Sequence, residues 1–291
     1  MGNIGYGFDL VGNRMAMTST VFGIPSATYN YDQNDRLDSD TYDANGNTVL
    51  GTTDETALSC SYDFENRIVF AQSALSAVSI LYDGDGNRVA KTVNGMTIHY
   101  LVGDRNLTGY AQVMEELATG VVSRVYTYGL DLIAQTRITD NEEQITSFYG
   151  YDGHGNVRFL TDTNGYITDR YDYDAYGKII ASSGTTPNKY LYCGEQYDPD
   201  LGLYFLRARY MNPTMGRFWT RDEWEGHRGS PVSLHHYLFA SQDPVNLSDP
   251  SGMFTLSEVM ITLDVLRVLT KMASAVVGYL SPTVEITPVI I

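Results

Sequence analysis

The sequence contains few cysteines and few basic residues. Cys60 and Cys193 are its two cysteines, and their wide separation excludes the CxxC spacing of a zinc or redox site and the dense disulfide framework of a small secreted domain. Both thiols are expected to be buried and unpaired. Lys and Arg number 19 against 35 Asp and Glu, a formal net charge of −16, which excludes an extended basic surface for nucleic acid.

Long uninterrupted apolar runs are also missing. Residues 1–15 have neither the basic stretch nor the apolar core of a signal peptide. They open inside a repeat, which indicates the C-terminal part of a longer chain or a truncated gene, with any export signal outside this sequence. Residues 256–280 have apolar side chains at helical spacing, but charged residues interrupt them, so an amphipathic helix and a β-prone tail are predicted instead of a membrane span.

Tyrosine is abundant, with 23 residues, and several tyrosines begin a recurring Tyr-Asp pattern that is rich in Gly and Asn. Copies at intervals of roughly 20 residues are typical of stacked structural repeats. The clearest copies are YDANGN (42–47), YDFENR (62–67), YDGDGNR (82–88) and YDGHGNVR (151–158), with a degraded copy at 8–14. Much of the negative charge is the Asp of these motifs, which is expected on solvated turns.

Each repeat is predicted to form a β-hairpin. In residues 82–88 the Asp-Gly and Gly-Asn steps predict a type I′ turn. Because one hairpin is unstable alone, the hairpins are expected to stack edge to edge into one long, curved antiparallel sheet, an all-β fold that forms part of a shell. Residues 71–79 fit a strand or a short helix equally well. Hairpins are predicted at 29–50, 62–70, 124–139 and 148–180.

The sequence predicts no metal site and no cofactor. Asp83, Asp85 and Asn87 alternate as in an EF-hand loop, but glycine falls at position four instead of six and the bidentate Glu at position twelve is missing. The pair His235 and His236 has no carboxylate or thiol beside it at metal-ligand spacing, so one ring is expected to be packed and the other exposed.

Two stretches are the most specific in the chain: YDPDLGLYFLRARYMNPTMGRFWTRD (197–222) and SLHHYLFASQDPVNLSDPSG (233–252). Through them the chain resembles the C-terminal part of an RHS/YD-repeat protein that ends in the RHS repeat-associated core domain. The family includes polymorphic toxins, C-subunits of Tc toxins and the teneurin-like YD shells. The resemblance implies repeats over 1–147, the core domain over 148–253, and a variable C-terminal segment, a truncated toxin or a tail, over 254–291.

In proteins similar to this one, the repeats wind into a hollow shell around a C-terminal toxin, and the core domain acts as an aspartyl autoprotease that cuts its own chain once. The resemblance implies Asp222 and Asp249 as the catalytic aspartates and a cut between Met253 and Phe254. Arg221 is expected to support them by keeping one carboxylate ionised. Two close carboxylates suit this chemistry, since one holds a proton while the other activates water.

The residues alone leave another interpretation open. Asp222 follows a predicted strand and would cap a turn, and residues 249–252 would form a simple β-turn. Asp243 stands where the family commonly has Asn, and it could add a competing negative charge near the two aspartates. Glu-Trp instead of Asp-Pro also follows Asp222.

The first functional hypothesis is a fragment of a secreted or cell-surface polymorphic toxin of interbacterial competition, which releases its C-terminal segment by self-cleavage. Its expected partners are the rest of the parent shell, the enclosed toxin and an immunity protein, and no nucleic acid is expected on the repeats. The alternatives are a non-catalytic cell-surface adhesion or carbohydrate-binding protein, with exposed tyrosines stacking on sugars, and a decayed gene fragment.

Overall fold

The computed structural model describes residues 2–54, 56–106, 108–229 and 231–253. Over these residues the chain forms three antiparallel sheets and three short 3-10 helices, Tyr192–Gly194, Pro231–Leu234 and Ala240–Gln242. Within the described ranges no helix is long and apolar enough to cross a bilayer. The predicted C-terminal helix and tail fall on 254–291, outside the described residues.

The strands follow one another along the chain. The first sheet comprises β1 (Ile4–Phe8), β2 (Arg14–Ser19) and β3 (Ala27–Thr28). The large sheet comprises β4 (Thr41–Tyr42), β5 (Thr48–Thr53), β6 (Thr56–Tyr62), β7 (Ile68–Gln72), β8 (Ala77–Tyr82), β9 (Arg88–Val93), β10 (Met96–Gly103), β11 (Gln112–Ala118), β12 (Val121–Tyr128), β13 (Leu132–Ile138), β14 (Gln144–Tyr151), β15 (Val157–Thr161), β16 (Ile167–Tyr173) and β17 (Ile179–Ser183). The third, called the core sheet below, comprises β18 (Gln196–Asp198), β19 (Leu203–Leu206), β20 (Arg209–Asn212) and β21 (Arg217–Phe218).

The large sheet is a continuous meander of 14 strands in which each strand pairs with the next one in the sequence. It is open, with β4 and β17 at its edges. The predicted all-β class and the edge-to-edge stacking of hairpins are confirmed. Residues 71–79, which fitted a strand or a helix, form the end of β7, a turn and the start of β8.

The prediction of a type I′ turn at residues 82–88 was wrong. Gly86 alone among its turn residues has a positive φ, 81°, as in a type I turn that ends in a glycine bulge. The reason lies in Asp83, whose carboxylate accepts the N–H groups of Asp85 at 3.0 Å and Asn87 at 2.8 Å. These bonds hold the first half of the turn in the right-handed region, so one residue of positive φ is enough.

The repeat tyrosines have a structural role. Four of them stand at the ends of their strands, and the hydroxyl of each donates to the carbonyl at the start of the preceding strand. The bonds run from Tyr62 to Thr48 (2.5 Å), Tyr82 to Ile68 (3.1 Å), Tyr151 to Leu132 (2.7 Å) and Tyr173 to Val157 (2.7 Å). Among the described tyrosines, Tyr166 alone is largely exposed, so few rings are free to stack on a sugar.

The core sheet lies against one face of the large sheet and contacts it near both ends. Strands β6 to β8 contribute Leu58, Ile68, Val78 and Ile80 to a cluster with Leu201, Leu203, Tyr210 and Trp219. Strands β15 and β16 contribute Val157, Leu160 and Tyr171 to a second cluster with Tyr204, Leu206 and Met211. The large sheet therefore curves around the core sheet. The two cysteines are free, Cys60 buried and Cys193 half-buried.

A buried ionic network also joins the two sheets. Arg88 of β9 is 5% exposed, and its guanidinium lies 3.2 Å from Asp198 and donates to the Tyr210 hydroxyl at 3.0 Å. Lys91 pairs with Asp198 and, at 2.6 Å, with Asp200. Because Arg88 and Asp198 are both buried away from water, each depends on the other for its hydrogen bonds.

Candidate functional site

Asp222 lies just after the core sheet and caps a turn. Its backbone N–H donates to the carbonyl of His236 at 2.9 Å, and its Oδ1 accepts the N–H of Trp224 at 2.9 Å. These two bonds fix the carboxyl group and leave Oδ2 for another partner. The side chain is 12% exposed, so it keeps contact with solvent.

Asp249 begins the turn that ends at Met253. Its Oδ1 accepts the hydroxyl of Ser251 at 2.9 Å and the N–H groups of Gly252 at 2.9 Å and Met253 at 3.2 Å. Its side chain is 3% exposed. Both aspartates therefore cap turns, as the residues alone had indicated. Asp249 in addition accepts the N–H of Met253, the last residue before the predicted cut.

Arg209 brings the two aspartates together. Its Nη2 lies 2.7 Å from Oδ2 of Asp222 and 3.9 Å from Oδ2 of Asp249. Each carboxylate thus uses one oxygen for its own turn and turns the other toward the same guanidinium. Arg209 also donates through Nε to the carbonyl of Gly252, and its guanidinium lies 3.6 Å from the centre of the Phe218 ring.

The electrostatics of this group are those of one buried cation between two carboxylates. Arg209 is 8% exposed, and burial lowers the pKa of its guanidinium below the ordinary value while Asp222 and Asp249 oppose that shift. One guanidinium balances the charge of one carboxylate. Two carboxylates that share one cation are an arrangement in which an acid and a base can act in one site.

Arg221, the basic residue predicted to support the aspartates, is exposed, and its Nη2 lies 3.1 Å from Nε2 of His236. Burial and the Arg221 cation both lower the pKa of His236. The guanidinium that contacts Asp222 and Asp249 belongs to Arg209, which lies within the stretch 197–222 but was not predicted as a site residue. The supporting role of Arg221 stays a prediction.

Asp243, considered as a competing charge, is occupied locally. Its two carboxylate oxygens accept the side-chain amide of Asn246 at 2.8 and 3.0 Å, and its backbone N–H donates to Ala240 at 2.9 Å. These contacts keep it within its own turn. His235 is buried and His236 is half-buried, close to the predicted arrangement of the two rings.

A cleft of about 530 Å³ opens beside the aspartates. One wall consists of turns of the large sheet and the other of the core sheet with its following loops, so the cleft lies where the two sheets meet. Asp222, Arg209 and Met253 all line it, which gives water access to this group. Phe254, on the other side of the predicted cut, lies outside the described residues.

Comparisons with known proteins agree with this architecture. A family model described as "Teneurin YD-shell" matches residues 148–245. The chain is 33% identical over 262 residues to the tRNA3(Ser)-specific nuclease WapA of Bacillus spizizenii and 32% identical over 262 residues to the tRNA nuclease WapA of Bacillus subtilis. Each match covers 86% of this chain and 11% of the relative.

Solved structures show the same fold. The crystal structure of TcdB2-TccC3-Cdc42 matches with a TM-score of 0.52 at 16% identity. The structure of the Photorhabdus luminescens Tc holotoxin pore matches with a TM-score of 0.52 at 15% identity, and both matches cover 87% of this chain and 17% of that chain. Together with the repeats and the meander of hairpins, these matches show that the chain belongs to the RHS/YD-repeat family.

Proposed function

We propose that this chain is part of an RHS polymorphic toxin and that its core domain cuts the chain once, between Met253 and Phe254. The observation that carries the proposal is the convergence of Asp222 and Asp249 on Arg209, directly beside Met253. Two carboxylates arranged around one cation, next to an open cleft, suit hydrolysis of a peptide bond without a metal or a covalent intermediate.

The proposed reaction divides acid and base between the two aspartates. Asp222 lines the cleft and takes a proton from a water molecule, whose oxygen attacks the carbonyl carbon of Met253. Asp249, which is buried, holds the second proton and donates it to the carbonyl oxygen of Met253 as the water oxygen adds to the carbon. Asp222 then passes the proton that it took from water to the nitrogen of Phe254, and the C–N bond breaks. One hydroxyl proton of the intermediate returns to Asp249, which leaves a carboxyl group on Met253 and an amino group on Phe254.

The biological setting belongs to the same proposal. The curated WapA relatives are named as tRNA nucleases, but this chain spans 11% of their length, and its large sheet is the architecture of a container. We place the chain in a secreted or cell-surface toxin whose remaining shell is its partner, with residues 254–291 or a longer segment as the released part. An immunity protein would then protect the producing cell.

The test is the intact mass of the purified chain during incubation, beside Asp222→Asn and Asp249→Asn. The wild type is expected to yield one fragment ending at Met253 and a complementary peptide beginning at Phe254. Each variant should stay whole, because an amide can neither accept nor release the required proton, while its oxygen can still cap the turn. A wild type that remains full-length through prolonged incubation sinks the proposal.

A second candidate is a shell that never cuts itself. It is favoured by the turn-capping bonds of Asp222 and Asp249, which give both residues a structural role without catalysis. A match of 32% identity over 144 residues to Salivary gland surface protein 1 of Aedes aegypti, which covers 48% of this chain and 3% of that protein, also supports a surface protein. Under this alternative the two Asn variants lower thermal stability and leave the mass of every species unchanged.

A further inference from the structure

The tip of the β19–β20 hairpin holds the segment before the predicted cut in an ordered way. Its three consecutive residues donate to three consecutive carbonyls of the 249–253 turn. The bonds run from Arg207 Nη1 to Pro250 O, from Ala208 N to Ser251 O at 3.2 Å, and from Arg209 Nε to Gly252 O. The next carbonyl along the chain is that of Met253, at the predicted cut.

The close fit depends on Gly252. Its φ is 73°, and a Cβ atom built on it would lie 2.3 Å from the carbonyl oxygen of Leu206. A side chain at this position would push the turn away from the hairpin, so glycine is needed for both the backbone conformation and the distance. The turn and the hairpin tip are in contact through their backbones.

The two arginines of the tip are themselves fixed. Arg207 has a φ of 59° in the two-residue turn of the hairpin. Its guanidinium lies 2.9 Å from Glu195 and donates to the carbonyl of Ala111 at 3.1 Å. Arg209 is held by Asp222. Each arginine therefore reaches its carbonyl from a position that other residues determine, which makes the tip a rigid template.

We propose that Arg207, Ala208 and Arg209 form a register clamp that decides which peptide bond is cut. This inference rests on the proposed autoproteolysis and deepens it. A slip of one residue would misplace all three carbonyls at once, so one alignment is preferred. In that alignment the peptide bond that follows position 253 lies at the two aspartates. The side chain at position 253 does not affect this choice. Arg207 and Arg209 are positioning residues, since the described contacts place them on carbonyls 250 and 252.

The clamp also has a consequence after the cut. None of its three hydrogen bonds involves an atom on the leaving side of the 253–254 bond. The shortened chain therefore keeps the segment before its new carboxyl end bound to the hairpin tip.

The deciding experiment shifts Met253 by one position relative to the clamp. One alanine is inserted between Gly252 and Met253, and the fragments of this variant and of the wild type are identified by intact mass. The clamp predicts a cut after the inserted alanine, one residue after Gly252, as in the wild type. A cut that stays after the methionine would mean that the side chain is recognised and would overturn the clamp. A wild type that is never cut would overturn the autoproteolysis itself.

Substitutions at the tip supply a second measurement. Arg207→Gln is expected to slow the cut by about 10- to 100-fold, because a small displacement of the reacting groups costs this much, and to spread the cut over neighbouring bonds. Arg207→Lys should restore the single end at Met253 and part of the rate. Arg158→Gln, which changes an arginine of β15 paired with Asp172, is the matched control. An Arg207→Gln variant that cuts at the wild-type rate and at one bond contradicts the proposal.

Discussion

Charged residues are placed differently in the turns of the large sheet and around the core sheet. In the large sheet the turn aspartates bind backbone N–H groups two and four residues further along the chain, as Asp83 does. Around the core sheet the charged groups are buried and paired over long distances in sequence, as Arg88 is with Asp198. Charge is local and replaceable in the first region and mutually dependent in the second.

The largest expected effect comes from removing one partner of the buried network. Arg88→Ala should lower the free energy of unfolding by about 3–5 kcal/mol, because Asp198 and Tyr210 lose a partner away from water. Arg158→Ala, in an ion pair whose side chains are 35% and 56% exposed, should cost at most about 1 kcal/mol. Urea unfolding of both variants measures the difference, and equal costs would contradict the distinction between the two regions.

The same substitution at two glycines sharpens the comparison. Gly86 and Gly252 have similar φ values of 81° and 73°, but a Cβ at Gly86 would meet only the flexible end of Arg67 at 3.3 Å. Gly86→Ala should therefore cost about 1–2 kcal/mol for the backbone conformation alone. Gly252→Ala adds the clash with Leu206 and should cost roughly 2–4 kcal/mol. Thermal unfolding checks the order, and a costlier change at Gly86 would reverse the interpretation.

Acid should loosen the contact between the first sheet and the core loops before it affects the repeat turns. His235 accepts the N–H of Tyr237 at 3.2 Å and faces Asn13 at 2.8 Å, and burial lowers the pKa of His235 to about 4, although Asp35 opposes the shift. The unfolded chain, with an ordinary histidine pKa of 6.5, binds the proton first. The stabilisation is complete above pH 6.5 and is lost as the pH falls toward 4.

The loss amounts to about 3 kcal/mol across this window. The repeat turns respond at lower pH. Burial tends to raise the pKa of Asp83, but the hydrogen bonds from Asn87 outweigh it and hold that pKa below its ordinary value. The contribution of these turns to stability is therefore lost only at lower pH. Urea unfolding between pH 7 and pH 4 tests this, with His235→Gln as the control that should flatten the dependence. A wild type with the same stability at both pH values would be inconsistent with it.

The smallest effect is expected from a single repeat tyrosine. Tyr82→Phe removes one hydroxyl bonded to the carbonyl of Ile68 and should cost about 1 kcal/mol. Tyr173→Phe, which removes the equivalent bond to Val157, should cost the same within error because the repeats use one design. Chemical unfolding of the two variants decides, and a large difference would show that the repeats are not equivalent.

The sequence predicted the contacts that are local in the chain and missed those between distant residues. The hairpins, their order and the all-β class depend on contacts between neighbours in the chain, and the Tyr-Asp-Gly pattern carries that information. The predicted turn type at residues 82–88 was wrong, because the alternation of Asp and Gly does not show that Asp83 accepts the N–H groups of Asp85 and Asn87. Arg209 was missed because its partners are 13 and 40 residues away, as the numbers of Asp222 and Asp249 show. A basic residue amid apolar strand neighbours was the available signal.

The meander of the large sheet has a consequence for how such a protein can grow. Every strand of β4 to β17 pairs with its sequence neighbours, without a crossover. Duplicating or deleting one hairpin therefore changes the strand number by two, restores the chain direction and leaves each remaining pairing intact. The sheet can therefore lengthen or shorten in steps of one hairpin, and under the proposed shell function the number of hairpins would set the size of the enclosed space.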